Sequence, residues 1–188
     1  MAHFGSGTKY GLHCLLFLAG PLAEPVSSRD LAELQGISVS FVAKIFTKFE
    51  KLGLVKASEG IRGGYVLARP PSEIKVLEVV DAIEGPKPLF DCQQIRGRCT
   101  LYAGAPPDWM TSGLCGIHGL MLRAEKTMRA ELAGTSLADL AGGVSDKAPA
   151  TYGDDLQGWF SGRIQGRAEA RIAAVSGPRS RKKTDPIS

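Results

Sequence analysis

Between Ser27 and Ala68 the chain sets two short helical segments about a single Gly36, then two short β-type runs about a glycine-rich tip, and few folds accept that order. Ser27 and Ser28 offer N-caps for a helix over Arg29–Gln35, because a serine hydroxyl satisfies backbone N–H groups that a helix start leaves unpaired. Gly36 makes a tight break, and Ser38 caps a further helix expected to run to about Lys51. Two helices joined by a short glycine-containing turn form a helix-turn-helix pattern, which many helical bundles also contain. The next segment narrows the choice. Leu54-Val55-Lys56-Ala57 and Tyr65-Val66-Leu67-Ala68 flank Ser58-Glu59-Gly60-Ile61-Arg62-Gly63-Gly64, which predicts a β-hairpin with a flexible tip, the wing of a winged helix.

The remaining pattern is helical around that unit. A helix is expected from Thr8 to Ala19, closed by Gly20-Pro21, and another from Lys75 to Glu84, closed by Gly85-Pro86. No periodicity holds from Lys87 to His118. Helical pattern returns from Ile117 to about Leu132, followed by a short amphipathic turn over 136–140. The expected fold is mainly α with a small β-wing, an α+β winged helix-turn-helix domain with a cysteine loop and a long helix. The expected divisions are 1–85 for the DNA-binding domain, 86–118 for the cysteine loop, 117–141 for the long helix region and 142–188 for a flexible basic tail. Within that tail Leu156, Trp159, Phe160 and Ile164 suggest at most a weak helix face. The last residues carry Arg179, Arg181, Lys182 and Lys183.

Charge and compartment agree with a polyanionic partner. The net charge is +4 with a pI near 8.9, compatible with nucleic acid without requiring it. The apolar run from Leu12 to Ala19 is interrupted by His13 and is too short to span a bilayer, which needs about 20 apolar residues. A cytoplasmic protein without a membrane partner is therefore expected, and in that compartment clustered cysteines indicate metal or redox chemistry rather than disulfides.

On the helix after Gly36, Phe41, Val42, Ile45, Phe46 and Phe49 share one face and should pack inward. The opposite face carries Ser40, Ala43, Lys44, Thr47, Lys48 and Lys51, with Ser38 at its head. Small and hydroxyl side chains can approach base edges in a major groove, and lysines further along neutralise phosphates. For a lone helix an ordinary solvated face would explain the same residues; the adjoining hairpin, with Arg62 at its tip, favours the DNA-facing assignment.

The cysteines are spaced Cys92-x6-Cys99-x15-Cys115, and His118 follows three residues later. Thiolates select zinc, copper(I) or iron–sulfur clusters, and three thiolates with one imidazole suit either a [2Fe–2S] or a tetrahedral zinc site. Inert or redox-active thiols are the plain alternative. Asp91 is a further candidate oxygen ligand, and Cys14, inside the first apolar helix, is expected to be a core residue.

The order of these features resembles the Rrf2 family of winged-helix transcriptional regulators, of the iron–sulfur type that includes IscR, NsrR and RirA. The likeness is carried by Lys9-Tyr10-Gly11-Leu12, by 36–41, by Leu52-Gly53-Leu54-Val55, by Gly63-Gly64-Tyr65-Val66-Leu67 and by 76–85, and it extends to about residue 141. It implies a homodimer, with the helix from Ile117 to Leu132 crossing to the partner. It also implies a cluster held by Cys92, Cys99 and Cys115, with His118 as fourth ligand. [2Fe–2S] is favoured over [4Fe–4S], with a cluster-free loop as the remaining alternative. One departure is plain: fifteen residues separate Cys99 from Cys115, far more than family members place there. The expected function is a repressor that binds promoter double-stranded DNA under control of a cluster sensing iron, redox state or nitric oxide. A cluster-free thiol switch of the same fold is the first alternative. A small zinc-dependent or redox enzyme is the second, and it lacks paired carboxylates, HExxH, a phosphate loop or a Ser/His/Asp arrangement.

Overall fold

The computed structural model describes residues 4–20, 22, 24–60, 63–91 and 95–176, with backbone only for 173–176. Its helices are α1 (Ser6–Leu18), α2 (Ser28–Gln35), α3 (Val39–Lys51), α4 (Val76–Glu84), α5 (Asp108–Thr111), α6 (Gly116–Gly134), α7 (Leu137–Ser145) and α8 (Tyr152–Ser176). A two-stranded antiparallel sheet, β1 (Val55–Ser58) with β2 (Gly64–Leu67), forms the hairpin.

Local chemistry explains the helix-turn-helix. The Ser27 hydroxyl accepts the Asp30 N–H at 3.1 Å and donates to the Asp30 carboxylate at 2.8 Å, fixing the head of α2. Gly36 closes α2 at φ +64°, a left-handed conformation that a β-carbon would penalise. Two residues later the Ser38 hydroxyl accepts the Phe41 N–H and starts α3. The expected inward face forms the centre of the core: Val42, Phe46 and Phe49 are buried with Leu15, Leu31, Leu54, Ile74 and Val79. Phe46 meets Phe49 edge-on at 5.7 Å between ring centres and Tyr65 of β2 at 4.7 Å.

The hairpin pairs Val55 with Leu67 and Ser58 with Gly64. Its root is fastened to the lead-in of α2, where Val26 and Tyr65 exchange backbone hydrogen bonds of 3.1 and 2.8 Å. A β-carbon on Gly64 would stand 2.5 Å from the Val26 carbonyl carbon, so the close approach requires glycine. Arg69 then holds the hairpin exit, donating to the carbonyls of Gly53 and Glu73 and pairing with Glu78 at 2.7 Å.

Three departures from expectation concern the second half. The segment 86–118 has local order: 3-10 turns over Ile95–Arg98 and Thr100–Tyr102, and α5 within the fifteen-residue stretch. Arg96 is the reason, since its guanidinium donates to the carbonyls of Met110 and Gly113, each at 2.9 Å, and draws the stretch into a closed loop. Second, the turn expected over 136–140 is a longer helix, α7, started by a reciprocal Ser136–Asp139 cap. Third, the region read as a flexible basic tail from residue 142 contains α8, 25 residues long. Leu156, Phe160 and Ile164 recur every four residues on it and are buried, which supplies the apolar stripe that anchors it. Arg179, Arg181, Lys182 and Lys183 lie outside the described residues. Among the described residues no helix is long and apolar enough to cross a membrane.

Candidate functional site

With its apolar face in the core, α3 must turn the other face outward. Ser38, Ser40, Lys44, Thr47 and Lys51 are exposed and Ala43 is half-buried. The Ser38 and Ser40 hydroxyls lie 3.3 Å apart at the helix head, and the Thr47 hydroxyl donates back to the Ala43 carbonyl at 3.0 Å. Lys48 behaves differently from its neighbours. It is half-buried, and its ammonium donates to the Ile83 carbonyl at 2.6 Å, where the last turn of α4 offers unpaired carbonyls and the negative end of its dipole. That contact ties α3 to α4 and occupies the cation that the sequence assigned to phosphate.

Val39 escaped the sequence reading: it is 43% exposed between Ser38 and Ser40, an apolar side chain where a thymine methyl could be met. Arg29 is also exposed at the head of α2, and only its exposure would have singled it out. At the end of β1 the hairpin turns through Gly60 at φ +109°. Arg62 lies outside the described residues.

The cysteines divide by environment. Cys14 is fully buried, receives a hydrogen bond from the Gln35 amide at 2.7 Å, and burial pushes its thiol up to about 12. That thiol is inert packing. Cys115 is the N-cap of α6, where the His118 and Ile117 backbone N–H groups favour its thiolate, and Arg96 adds a weaker pull, so its pKa is lowered. Cys99, half-buried, precedes the turn at Thr100. The His118 ring sits 6.2 Å from the Phe90 ring, and Asp91 is exposed. Cys92 lies outside the described residues.

The donor chemistry of Cys99, Cys115 and His118 suits a soft metal or an iron–sulfur cluster. Among the described residues, however, no three His, Cys, Asp or Glu side chains gather into a metal-holding group. The described residues alone therefore do not form a complete site. Thr8, near the start of α1, is buried and donates to Glu84 at 2.6 Å.

The family model described as Rrf2, iron-dependent transcriptional regulator, matches residues 4–143. An Azotobacter vinelandii protein named as an HTH-type transcriptional regulator is 35% identical over 116 residues, covering 62% of this chain and 64% of its own, so the chain spans just under two thirds of that relative. A Mycobacterium tuberculosis (strain H37Rv) protein named in the same way is 36% identical over 156 residues, covering 82% of this chain and 91% of its own. Among solved structures, T. potens IscR superposes with a TM-score of 0.59 at 25% identity, covering 80% of this chain and 95% of that one. The chain belongs to the Rrf2 family: it is a winged-helix, DNA-binding transcriptional regulator and not an enzyme.

Proposed function

We propose that this Rrf2-family regulator is a homodimeric, cytoplasmic repressor that binds promoter double-stranded DNA and takes its signal through the cysteine loop. The observation that carries the reading is the two-faced α3, apolar residues in the core and Ser38, Ser40, Lys44, Thr47 and Lys51 in solvent beside the hairpin. Hydroxyls at the helix head suit base edges, and Lys44 and Lys51 suit phosphates. Arg62 would enter the minor groove from the hairpin. Support for a dimer comes from α6, which leaves Ile117, Leu120 and Leu122 in solvent and buries only Gly119. An apolar helix face of that kind needs a cover.

For the signal, the proposed sensor is an iron–sulfur cluster held by Cys92, Cys99, Cys115 and His118, with [2Fe–2S] favoured over [4Fe–4S] by a mixed thiolate and imidazole set. When bound, a cluster supplies a group whose charge and ligation answer to iron supply, oxidation or nitric oxide. The chain's own part is positional. Cys115 heads α6, and Arg96 joins the loop to it, so a rearrangement at the thiol alters how α6 starts. Arg129 clamps Asp81 of α4 with two bonds of 3.0 and 2.8 Å, and α4 in turn holds Lys48 of α3. That chain of contacts gives the loop a physical route to the DNA-facing helix, biasing two arrangements of the dimer.

The lowered pKa of Cys115 favours one second reading, a cluster-free switch in which this thiolate is oxidised. Protein purified without oxygen separates the two. Colour with iron and acid-labile sulfide is the expected result. Colourless protein with stoichiometric zinc would sink the cluster, and metal-free protein forming a reversible disulfide would establish the second reading.

A further inference from the structure

A cavity of about 520 Å³ opens between α1, α7 and the head of α8. Its first wall follows from helical spacing. His13, Leu16 and Phe17 stand at i, i+3 and i+4 on α1 and share the face that lines it, while Cys14 and Leu15 are buried in the core. Val144 and Ser145 line it from α7, and Tyr152 and Leu156 from α8. Each wall is held from outside the cavity. The Leu137 N–H donates to the Ile74 carbonyl at 2.9 Å, which fixes the start of α7. Leu156 is part of the core, and Arg163 and Arg167 of α8 pair with Glu33 and Asp30 of α2. Walls anchored in this way keep a cavity formed before any ligand arrives. The family match ends at residue 143, so the α1 wall lies within it, whereas Val144, Tyr152 and Leu156 lie beyond it. The C-terminal segment thus completes a cavity that the family-matched part would leave open on that side.

The lining selects a class of ligand. It contains no Asp, Glu, Lys or Arg, and its polar side chains are His13, Ser145 and Tyr152. Ser145 already donates to the Ala141 carbonyl at 3.2 Å. Neither the His13 ring nor the Tyr152 hydroxyl has a hydrogen-bond partner among the described residues. Their exposure puts both at the mouth, His13 exposed and Tyr152 37% exposed, whereas Leu16 and Phe17 are half-buried and Leu156 is buried. A charged ligand would leave water here without a countercharge, which is costly. The acids Asp154 and Asp155 in the first turn of α8 disfavour an anion further. An imidazole and a phenol can each donate and accept, and a hydroxyl on the ligand can answer either. Phe17 and Tyr152 offer rings against which an aromatic ligand packs well. The volume lies within the range of about 300–1,000 Å³ usual for small-molecule sites.

We propose that this cavity binds an uncharged aromatic small molecule carrying a hydroxyl. Its ring lies against Leu16, Phe17 and Leu156, and its hydroxyl meets His13 and Tyr152 at the mouth. The site shares no residue with the cysteine loop or with the DNA-facing side of α3, so it stands or falls independently of the function proposed above.

The probe is 2-naphthol, which is uncharged at neutral pH and whose own fluorescence follows a titration of the full chain. The expected result is saturable binding of one molecule per chain with a Kd of about 1 mM or tighter, and a Tm that rises with probe concentration. Val144→Trp, which fills the cavity from a position 38% exposed, should weaken binding at least tenfold with the circular dichroism unchanged. His13→Phe and Tyr152→Phe should each weaken it about fivefold, one neutral hydrogen bond apiece. In the unaltered chain, nuclear Overhauser effects should join the naphthol ring to the methyl groups of Leu16, Val144 and Leu156, a readout that needs no variant. No saturable binding, or ring contacts to other methyl groups only, would overturn the site. Binding of 2-naphthoate as tight as that of 2-naphthol would overturn the uncharged ligand class.

Discussion

Phe46 and Trp109 are both large aromatic residues, and they live under opposite rules: the first is 0% exposed between Phe49 and Tyr65, the second 72% exposed on the cysteine loop. The contrast holds for their regions. In the winged helix α2 and α3 are capped by Ser27 and Ser38, Val42, Phe46 and Phe49 are buried, and the hairpin is fastened to the lead-in of α2 by paired backbone bonds. In the loop and α6, Ile95, Leu101, Trp109, Leu114, Ile117 and Leu120 remain in solvent, and one guanidinium does most of the organising. A reading surface must hold its shape to fit a groove. A sensing segment needs two arrangements of similar free energy, and few buried contacts make that attainable.

The largest effect that could break the comparison is in the core. Phe46→Ala should destabilise by about 3–5 kcal/mol, whereas Trp109→Ala should stay within about 0.5 kcal/mol, both read from urea denaturation. A comparable loss at Trp109 would show that the loop is packed after all. Next come the lysines. Lys51→Ala should leave stability unchanged and lower the salt slope of DNA binding by about 0.9 for its phosphate. Lys48→Met should do the reverse, costing about 1 kcal/mol of stability through the lost bond to the Ile83 carbonyl.

The cysteines sharpen the same contrast at smaller scale. Near neutral pH iodoacetamide should label Cys115 quickly in metal-free protein and leave Cys14 untouched until the fold opens, because burial pushes the Cys14 thiol up to about 12 while the α6 head lowers that of Cys115. Mass spectrometry of the labelled peptides reads this directly, and rapid labelling of native Cys14 would contradict it. The smallest effect is in acid. The Thr8 hydroxyl and the Gly5 N–H lower the pKa of Glu84, and Ser136 does the same for Asp139. Carboxylates lowered in the folded state contribute stability above their ordinary pKa, near 4, and that contribution is lost as pH falls through the folded values. The Tm should therefore hold from pH 7 to about 5 and decline below 4, and Thr8→Val should reduce the decline.

How far each region could be read in advance follows the same division. The order α2, Gly36, α3, hairpin was legible because its causes are local: a serine three residues before its backbone donor, a glycine in the left-handed region, apolar side chains four apart. Lys48 was misleading, since its spacing is that of a solvated face and its partner, Ile83, lies 35 residues away. The apolar stripe of α8 was visible, yet three glycines at 158, 162 and 166 lower its helix propensity, and its anchors Glu33 and Asp30 are more than 120 residues distant. The loop resisted for a related reason: nothing near Arg96 in sequence announces that it will bind carbonyls at Met110 and Gly113.

The coupling of the two regions is best tested by one titration. An operator enriched by the protein from a random duplex pool would be titrated without oxygen, with protein as isolated and with protein stripped of iron, while circular dichroism follows the helices. Kd should change by about 5- to 150-fold with the helical signal unchanged. Equal Kd values for iron-loaded and stripped protein would contradict it.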